Sequence, residues 1–150
     1  MMSSKNIIKE LIVAYAAELE TIQNYIAASV NLDGVRSDVI KKALAADVPT
    51  ELNHAQLLAN RIKTIGGVVP GSLDLPRNQK FMQPTKDSTD VVAIIKGVIE
   101  AEEGAIGQYN KIIKLCDGTD YVTQDLAIQL LGDEESHRRE FKGYLREYEK

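Results

Sequence analysis

Both histidines of this 150-residue chain stand in the same four-residue pattern, Glu51-Leu52-Asn53-His54 and Glu134-Glu135-Ser136-His137. Residues three apart on a helix lie about one turn apart on one face, so a glutamate and a histidine spaced in this way can reach one metal ion. One E-x-x-H is a weak signal, because both residue types are common on solvated helix surfaces. Two of them, holding the only two histidines, are a much stronger one. The pattern demands helices, and a shared metal site demands that two of those helices face each other.

Four helical segments are legible between punctuation marks. The first runs from Ser3 and Ser4, which can cap it, to about Leu32, ahead of Asp33-Gly34; its stripe is Ile8, Leu11, Tyr15, Glu18, Ile22 and Tyr25. The second runs from Ser37-Asp38 to Gly66-Gly67 with the stripe Ile40, Leu44, Asp47, Glu51, His54, Leu58, Ile62 and Ile65. Pro49 lies inside it and predicts a kink just before Glu51, or a break into two helices. Between Gly66 and about Asp87 the periodicity dissolves around Pro70, Pro76 and Pro84. A connection of that length suits a crossover along the whole height of a bundle, needed if the third helix runs parallel to the second.

The third helix opens at Ser88-Thr89-Asp90 and closes at Cys116, with the seam Ile95, Ile99, Glu102, Ile106, Tyr109, Ile113 and Cys116. Glu100 and Glu103 share faces with glycine, asparagine and lysine, which leaves Glu102 as the buried glutamate. The fourth helix starts near Thr119-Asp120 and carries Ala127, Leu130, Glu134, His137, Phe141, Leu145 and Tyr148 along its seam. The expected fold is therefore all-α, one four-helix-bundle domain over residues 1–150 with a long crossover between helices two and three.

The chain also repeats itself. Glu18-Leu-Glu-Thr-Ile22-Gln-Asn-Tyr25 and Glu102-Glu-Gly-Ala-Ile106-Gly-Gln-Tyr109 share E-x-x-x-I-x-x-Y, and the glutamates precede Glu51 and Glu134 by 33 and 32 residues. Each hairpin thus delivers one glutamate and one E-x-x-H to the interior. Burying a lone carboxylate costs several kcal/mol unless it is paired or holds a metal. Four carboxylates and two imidazoles, namely Glu18, Glu51, His54, Glu102, Glu134 and His137, form the ligand set of a di-iron or di-manganese bundle. Two divalent cations balance the four negative charges, and oxygen and imidazole donors without thiolate suit iron or manganese, with zinc an acceptable substitute.

Composition narrows the setting. A hydrophobic content of 44% and a charged content of 27% are those of an ordinary globular chain, and the net charge of −4 argues against nucleic acid as a partner. No apolar run approaches a membrane span and no signal sequence is visible, so the chain is expected in the cytoplasm. A single cysteine, Cys116, excludes an intrachain disulfide or a four-cysteine metal module and reads as a small core residue.

At these residues the sequence resembles the ferritin-like superfamily, and within it the bacterioferritins and the Dps-like proteins with a bacterioferritin-type site. The motifs that carry the resemblance are E-L-x-x-I-x-x-Y in the first helix, E-x-x-H in the second, and D-Y-V-T-Q-D-L-A followed by D-E-E-S-H in the fourth. The resemblance implies a ferroxidase centre of two iron ions within each subunit. It implies oxidation of Fe(II) by oxygen or hydrogen peroxide, storage of the ferric product in a hollow homo-oligomeric shell, and protection against oxidative damage. Glu18, Glu51, His54, Glu102, Glu134 and His137 look like the ligands, with Glu51 and Glu134 as bridges, and Asp133 matches a family position that hydrogen-bonds a ligand histidine.

Departures from the family pattern are also informative. Leu52 stands where bacterioferritins carry a haem-ligating methionine, so haem is not expected. Thr50 stands where an acidic residue is frequent, which puts in question the matching bond to His137. Ala105 replaces the additional glutamate of rubrerythrins, and little chain remains for the fifth helix of 24-subunit ferritins. These features favour a Dps-like dodecamer, and a non-storing di-iron peroxidase or oxygenase is the alternative that shell formation separates from it. Asp47 either conducts iron inward or caps a kink at Pro49, and Tyr25 and Tyr109 read either as core tyrosines or as partners of a ligand.

Overall fold

The computed structural model describes residues 2–149. It has four long helices: α1 (Met2–Asn31), α2 (Asp38–Thr64), α3 (Val91–Cys116) and α4 (Tyr121–Tyr148). One-turn 3-10 helices at Val35–Ser37 and Ser72–Asp74 lie in the connections, and there is no strand among the described residues. Nor is any helix among them long and apolar enough to cross a membrane.

Two apolar clusters define the topology. One gathers Tyr25, Ala28 and Leu32 from the end of α1, Ile40 and Leu44 from the start of α2, Ile94, Ile95 and Val98 from the start of α3, and Phe141 from the end of α4. The other gathers Ile7, Leu11 and Ala14 with Leu58, Ile62, Tyr109, Ile112, Ala127 and Leu130, the opposite ends of the same four helices. Helices α2 and α3 therefore start at the same end and run parallel, while α1 opposes α2 and α3 opposes α4. At about 1.5 Å per residue, α2 spans roughly 40 Å. The chain must return over that distance to begin α3, which is the physical reason for the long connection.

That connection is latched to α1. The Glu20 carboxylate accepts the backbone N–H groups of Asn78 at 3.0 Å and Gln79 at 2.8 Å. Gln79 donates to Thr21 Oγ1 at 2.7 Å and accepts from Asn24 Nδ2 at 2.9 Å. Met82 then turns inward with φ 62° and is buried against α3 at Gly97. A Cβ on Gly97 would lie 2.8 Å from the Met82 backbone nitrogen. Although alanine favours a helix interior by about 1 kcal/mol over glycine, overpacking against fixed backbone costs about 1–3 kcal/mol. Gly97→Ala is accordingly expected to lower the stability of the metal-free protein, read by urea unfolding, and an increase would show that the crossover yields freely.

The helix boundaries differ from the sequence reading in instructive ways. Ser3 and Ser4 lie inside the first turn of α1, which begins at Met2, rather than ahead of it. Ser37 precedes α2 but makes no side-chain capping bond, and its hydroxyl is buried without a partner. Asp90 and Asp120 do cap α3 and α4, accepting the N–H groups of Ala93 and Thr123. Pro49 does not divide α2, which is one helix through it. Pro49 and Ala45 are both exposed, so the carbonyl freed by the missing N–H lies on the solvated face.

Candidate metal centre

Between the two apolar clusters the interior of the bundle is polar. Glu18 from α1, Glu51 and His54 from α2, Glu102 from α3 and Glu134 from α4 are each at most 3% exposed. The side chain of His137 on α4 is the most open of the six, at 14%. Glu100 and Glu103 both face solvent. The six residues expected as ligands from the two E-x-x-H motifs and the repeat thus converge on one site.

The geometry divides into two overlapping halves. Ligand atoms of Glu18, Glu51, His54 and Glu134 lie within 4.8 Å of one another, and so do those of Glu51, Glu102, Glu134 and His137. Glu51 and Glu134 belong to both. Glu51 turns Oε2 toward His54 Nδ1 at 3.7 Å and Oε1 toward His137 Nδ1 at 3.2 Å. Glu134 places Oε1 2.9 Å from His54 Nδ1 and Oε2 3.9 Å from His137 Nδ1. Each of these two carboxylates offers one oxygen to each half.

Two tyrosines complete the frame by crossing between the hairpins. Tyr25 of α1 donates its hydroxyl to Glu102 Oε1 of α3 at 2.5 Å, and Tyr109 of α3 donates to Glu18 Oε1 of α1 at 2.6 Å. Burial first, and then the surrounding carboxylates, hold both phenols well above their ordinary titration range, so they remain donors. The other oxygen of each glutamate, Glu18 Oε2 and Glu102 Oε2, is buried without a hydrogen-bond partner, as are Glu51 Oε1 and His137 Nδ1, which face each other without forming a hydrogen bond. Buried polar atoms are ordinarily satisfied. Four orphaned donor atoms of oxygen and imidazole type, converging from four helices, fit a pair of divalent cations.

Electrostatics agree with a site built for cations. Burial, reinforced by the charge of Glu18, drives the Glu51 carboxyl far above the usual range. Burial likewise lifts Glu134, to about 7, against the opposing hydrogen bond from His54. Burial disfavours charge on His54, but its contacts with Glu134, Glu18 and Asp133 outweigh it and raise the imidazole to about 10. Glu18 moves down, because its contacts with Glu51, His54 and Tyr109 overcome the burial that would raise it. With no cation present, the cluster retains protons in place of metal charge.

Asp133 holds His54 from outside, with Oδ2 2.9 Å from Nε2. Asp47 faces the corresponding nitrogen of His137 at 3.9 Å. The sequence had left the tyrosines open between two readings, and their crossed pairing was invisible in either motif alone. The available signal was the repeat itself, which puts each tyrosine two turns beyond its glutamate. Cys116 is buried in the lower apolar cluster, and burial raises its thiol to about 11.

A four-helix bundle with a long crossover and a glutamate and histidine cluster between its hairpins defines the ferritin-like class of protein. The chain matches the family described as Ferritin: Ferritin-like domain over residues 8–150, and it belongs to that family. It is 29% identical over 145 residues to the DNA protection during starvation protein of Pyrococcus furiosus, covering 94% of this chain and 77% of that relative. Its fold is similar to ferritin-like, diiron-carboxylate proteins from Bacillus anthracis strain Ames, with TM-score 0.85, 23% identity, and coverage of 97% of this chain and 99% of theirs. It is also similar to a bacterioferritin-related, dodecameric thioferritin from Bacteroides fragilis, with TM-score 0.82, 27% identity, and coverage of 97% and 87%.

Proposed function

We propose that the chain is a ferroxidase subunit that takes Fe(II) as its substrate at this cluster and retains the ferric product inside a closed shell of identical copies. The observation that carries the reading is the division of Glu51 and Glu134 between the two histidines, each carboxylate giving one oxygen to either side. Glu18 and His54 complete one half, and Glu102 and His137 the other. Two ferrous ions held side by side supply two electrons to one molecule of oxygen or hydrogen peroxide, leaving two ferric ions. Manganese and zinc suit the same donors.

The protein's part is binding, orientation and proton handling. Tyr25 and Tyr109 each fix one oxygen of a terminal glutamate, so that the carboxylate is held at the cluster without searching rotamers. Protons held by Glu51, Glu134 and His54 leave as cations arrive, since only carboxylate and neutral imidazole coordinate. The apolar clusters above and below limit access of bulk water to the oxidant. Storage requires an enclosed volume, and the similarity to a dodecameric thioferritin supports a twelve-subunit shell. The net charge of −4 favours cations over nucleic acid as the ligand.

Two measurements test the proposal. Anaerobic protein mixed with Fe(II) and then with oxygen or peroxide is expected to oxidise iron rapidly, Glu102→Ala to lose that rate, and Glu103→Ala to retain it. In native mass measurement the protein is expected far above its 16.6 kDa chain mass and loaded with ferric mineral. A stable monomer or dimer that still oxidises iron would overturn storage and leave a di-iron peroxidase or oxygenase. Equal rates for Glu102→Ala and the parent protein would overturn the site itself.

A further inference from the structure

The two halves of the cluster are not equivalent, and the difference lies outside the ligands. His54 is held at both ring nitrogens, with Nδ1 2.9 Å from Glu134 Oε1 and Nε2 2.9 Å from Asp133 Oδ2. His137 Nδ1 has no hydrogen-bond partner, and Nε2 faces Asp47 Oδ1 at 3.9 Å, beyond hydrogen-bond reach. His54 is 1% exposed, whereas the side chain of His137 is 14% exposed.

The repeat explains where the second partner ought to be. Asp133 immediately precedes Glu134 and holds the histidine of the other motif, so by the internal symmetry residue 50, before Glu51, would hold His137. That residue is Thr50, which has no carboxylate. One turn earlier on the same helix stands Asp47, its side chain 16% exposed, with Oδ1 turned to His137 and Oδ2 buried without a partner. Asp47 thus keeps one buried oxygen with nothing to accept, while its other oxygen stands about an ångström beyond hydrogen-bond reach of His137 Nε2.

Resting on the metal-centre reading above, we propose that Asp47 is the positioning residue of His137, taking the part that Thr50 cannot, and that the half of the centre served by His137 binds its cation more weakly than the half served by His54. A partner on the outer nitrogen fixes the tautomer and the ring plane of a ligand histidine, and its removal typically lowers metal affinity 10- to 100-fold. Asp133 is itself 56% exposed, which weakens its charge, but the formed bond orients His54 whereas the longer Asp47 contact leaves His137 rotational freedom. The weaker position is also the more open one, as suits a substrate ion that must leave after oxidation.

Co(II) is the probe, because calorimetry counts its binding steps and its visible absorption reports the donor set, both independent of iron oxidation. The parent protein is expected to bind two Co(II) per subunit in two unequal steps. Asp47→Asn should weaken the second step about 10- to 100-fold and leave the first, and Asp133→Asn should weaken the first. Adding Thr50→Asp to Asp47→Asn should restore the second step, a recovery that a merely structural role for Asp47 does not give. Two steps unchanged in Asp47→Asn, both weakened together, or no recovery in the double variant overturns the assignment of Asp47 while the metal centre stands. No Co(II) binding by the parent protein overturns both.

Discussion

Replacing Glu51 with glutamine is expected to abolish the metal response of this protein while making its metal-free fold more stable. The two effects have one cause. Glu51 supplies an oxygen to both halves of the cluster, so its loss removes a ligand from each rather than weakening one. It is also 1% exposed, and its burial beside Glu18 keeps the carboxyl protonated at neutral pH, whereas in the unfolded chain it titrates near 4.5. Holding that proton at pH 7 costs the folded state about 3 kcal/mol by linkage, a cost that a neutral amide of the same shape does not carry. Urea unfolding of the chelated protein at neutral pH should therefore show a gain of up to about 3 kcal/mol for Glu51→Gln. Addition of Mn(II) should shift the parent protein and not the variant. A variant that responds to Mn(II) as the parent does would place the cations elsewhere.

The second large effect is an opposite pH dependence of the metal-free and metal-loaded forms. Glu134 titrates at about 7 in the fold against an ordinary 4.5, and His54 at about 10 against 6.5. Both are raised, so each stabilises the fold fully only below its ordinary value, and the contribution is lost as pH rises through the folded value. The metal-free protein should thus lose stability steadily from about pH 4.5 to about pH 10. Glu18 is lowered and has the opposite sign, but its window lies below 4.5. Cation binding requires those same groups without protons, so affinity rises over the range in which the metal-free fold weakens. A cation at a thousand times its Kd adds about 4 kcal/mol per site, or roughly 8–16 °C in Tm for a chain of this length. Thermal unfolding with Mn(II) or chelator should show the gap widening with pH, and the double variant His54→Ala, His137→Ala should erase most of it. A gap that narrowed with rising pH would mean that protonated groups hold the ion.

Much of this architecture is legible in the chain because helix periodicity and ligand spacing are local properties. Two E-x-x-H motifs and two E-x-x-x-I-x-x-Y segments fix which face of each helix turns inward, and the seam separates Glu102 from its exposed neighbours Glu100 and Glu103. Half of the α1 stripe, Leu11, Glu18 and Tyr25, is buried as the sequence predicts, and the other half is drawn one residue off. Ile7, Ala14 and Thr21 are buried, while Ile8, Tyr15 and Ile22 are only half-buried. At Ala14 and Thr21 hydrophobicity favours the larger neighbours Tyr15 and Ile22, but close helix approach favours the smaller side chain at the contact. Pro49 leaves α2 undivided because a proline on a solvated face lets water take the freed carbonyl, and sequence does not say which face is wet until the bundle is assembled. The crossed tyrosine bonds and the reach of Asp47 depend on distances between helices, which no spacing within one helix encodes.

Those crossed bonds bear on how the molecule comes together. The glutamate of α1 is anchored by a phenol of α3, and the glutamate of α3 by a phenol of α1. Neither half of the repeat owns a finished arm, so each is a lock that only the other half can key. An isolated hairpin would present one glutamate swinging on its side chain and one unpaired E-x-x-H. Any partly assembled state that keeps a single hairpin holds three of the four donors of one half of the cluster and only one of the other. On the proposed reading, capture of two cations is therefore a coincidence detector for docking of the two halves, and metal uptake followed in time during refolding is expected to report that single event.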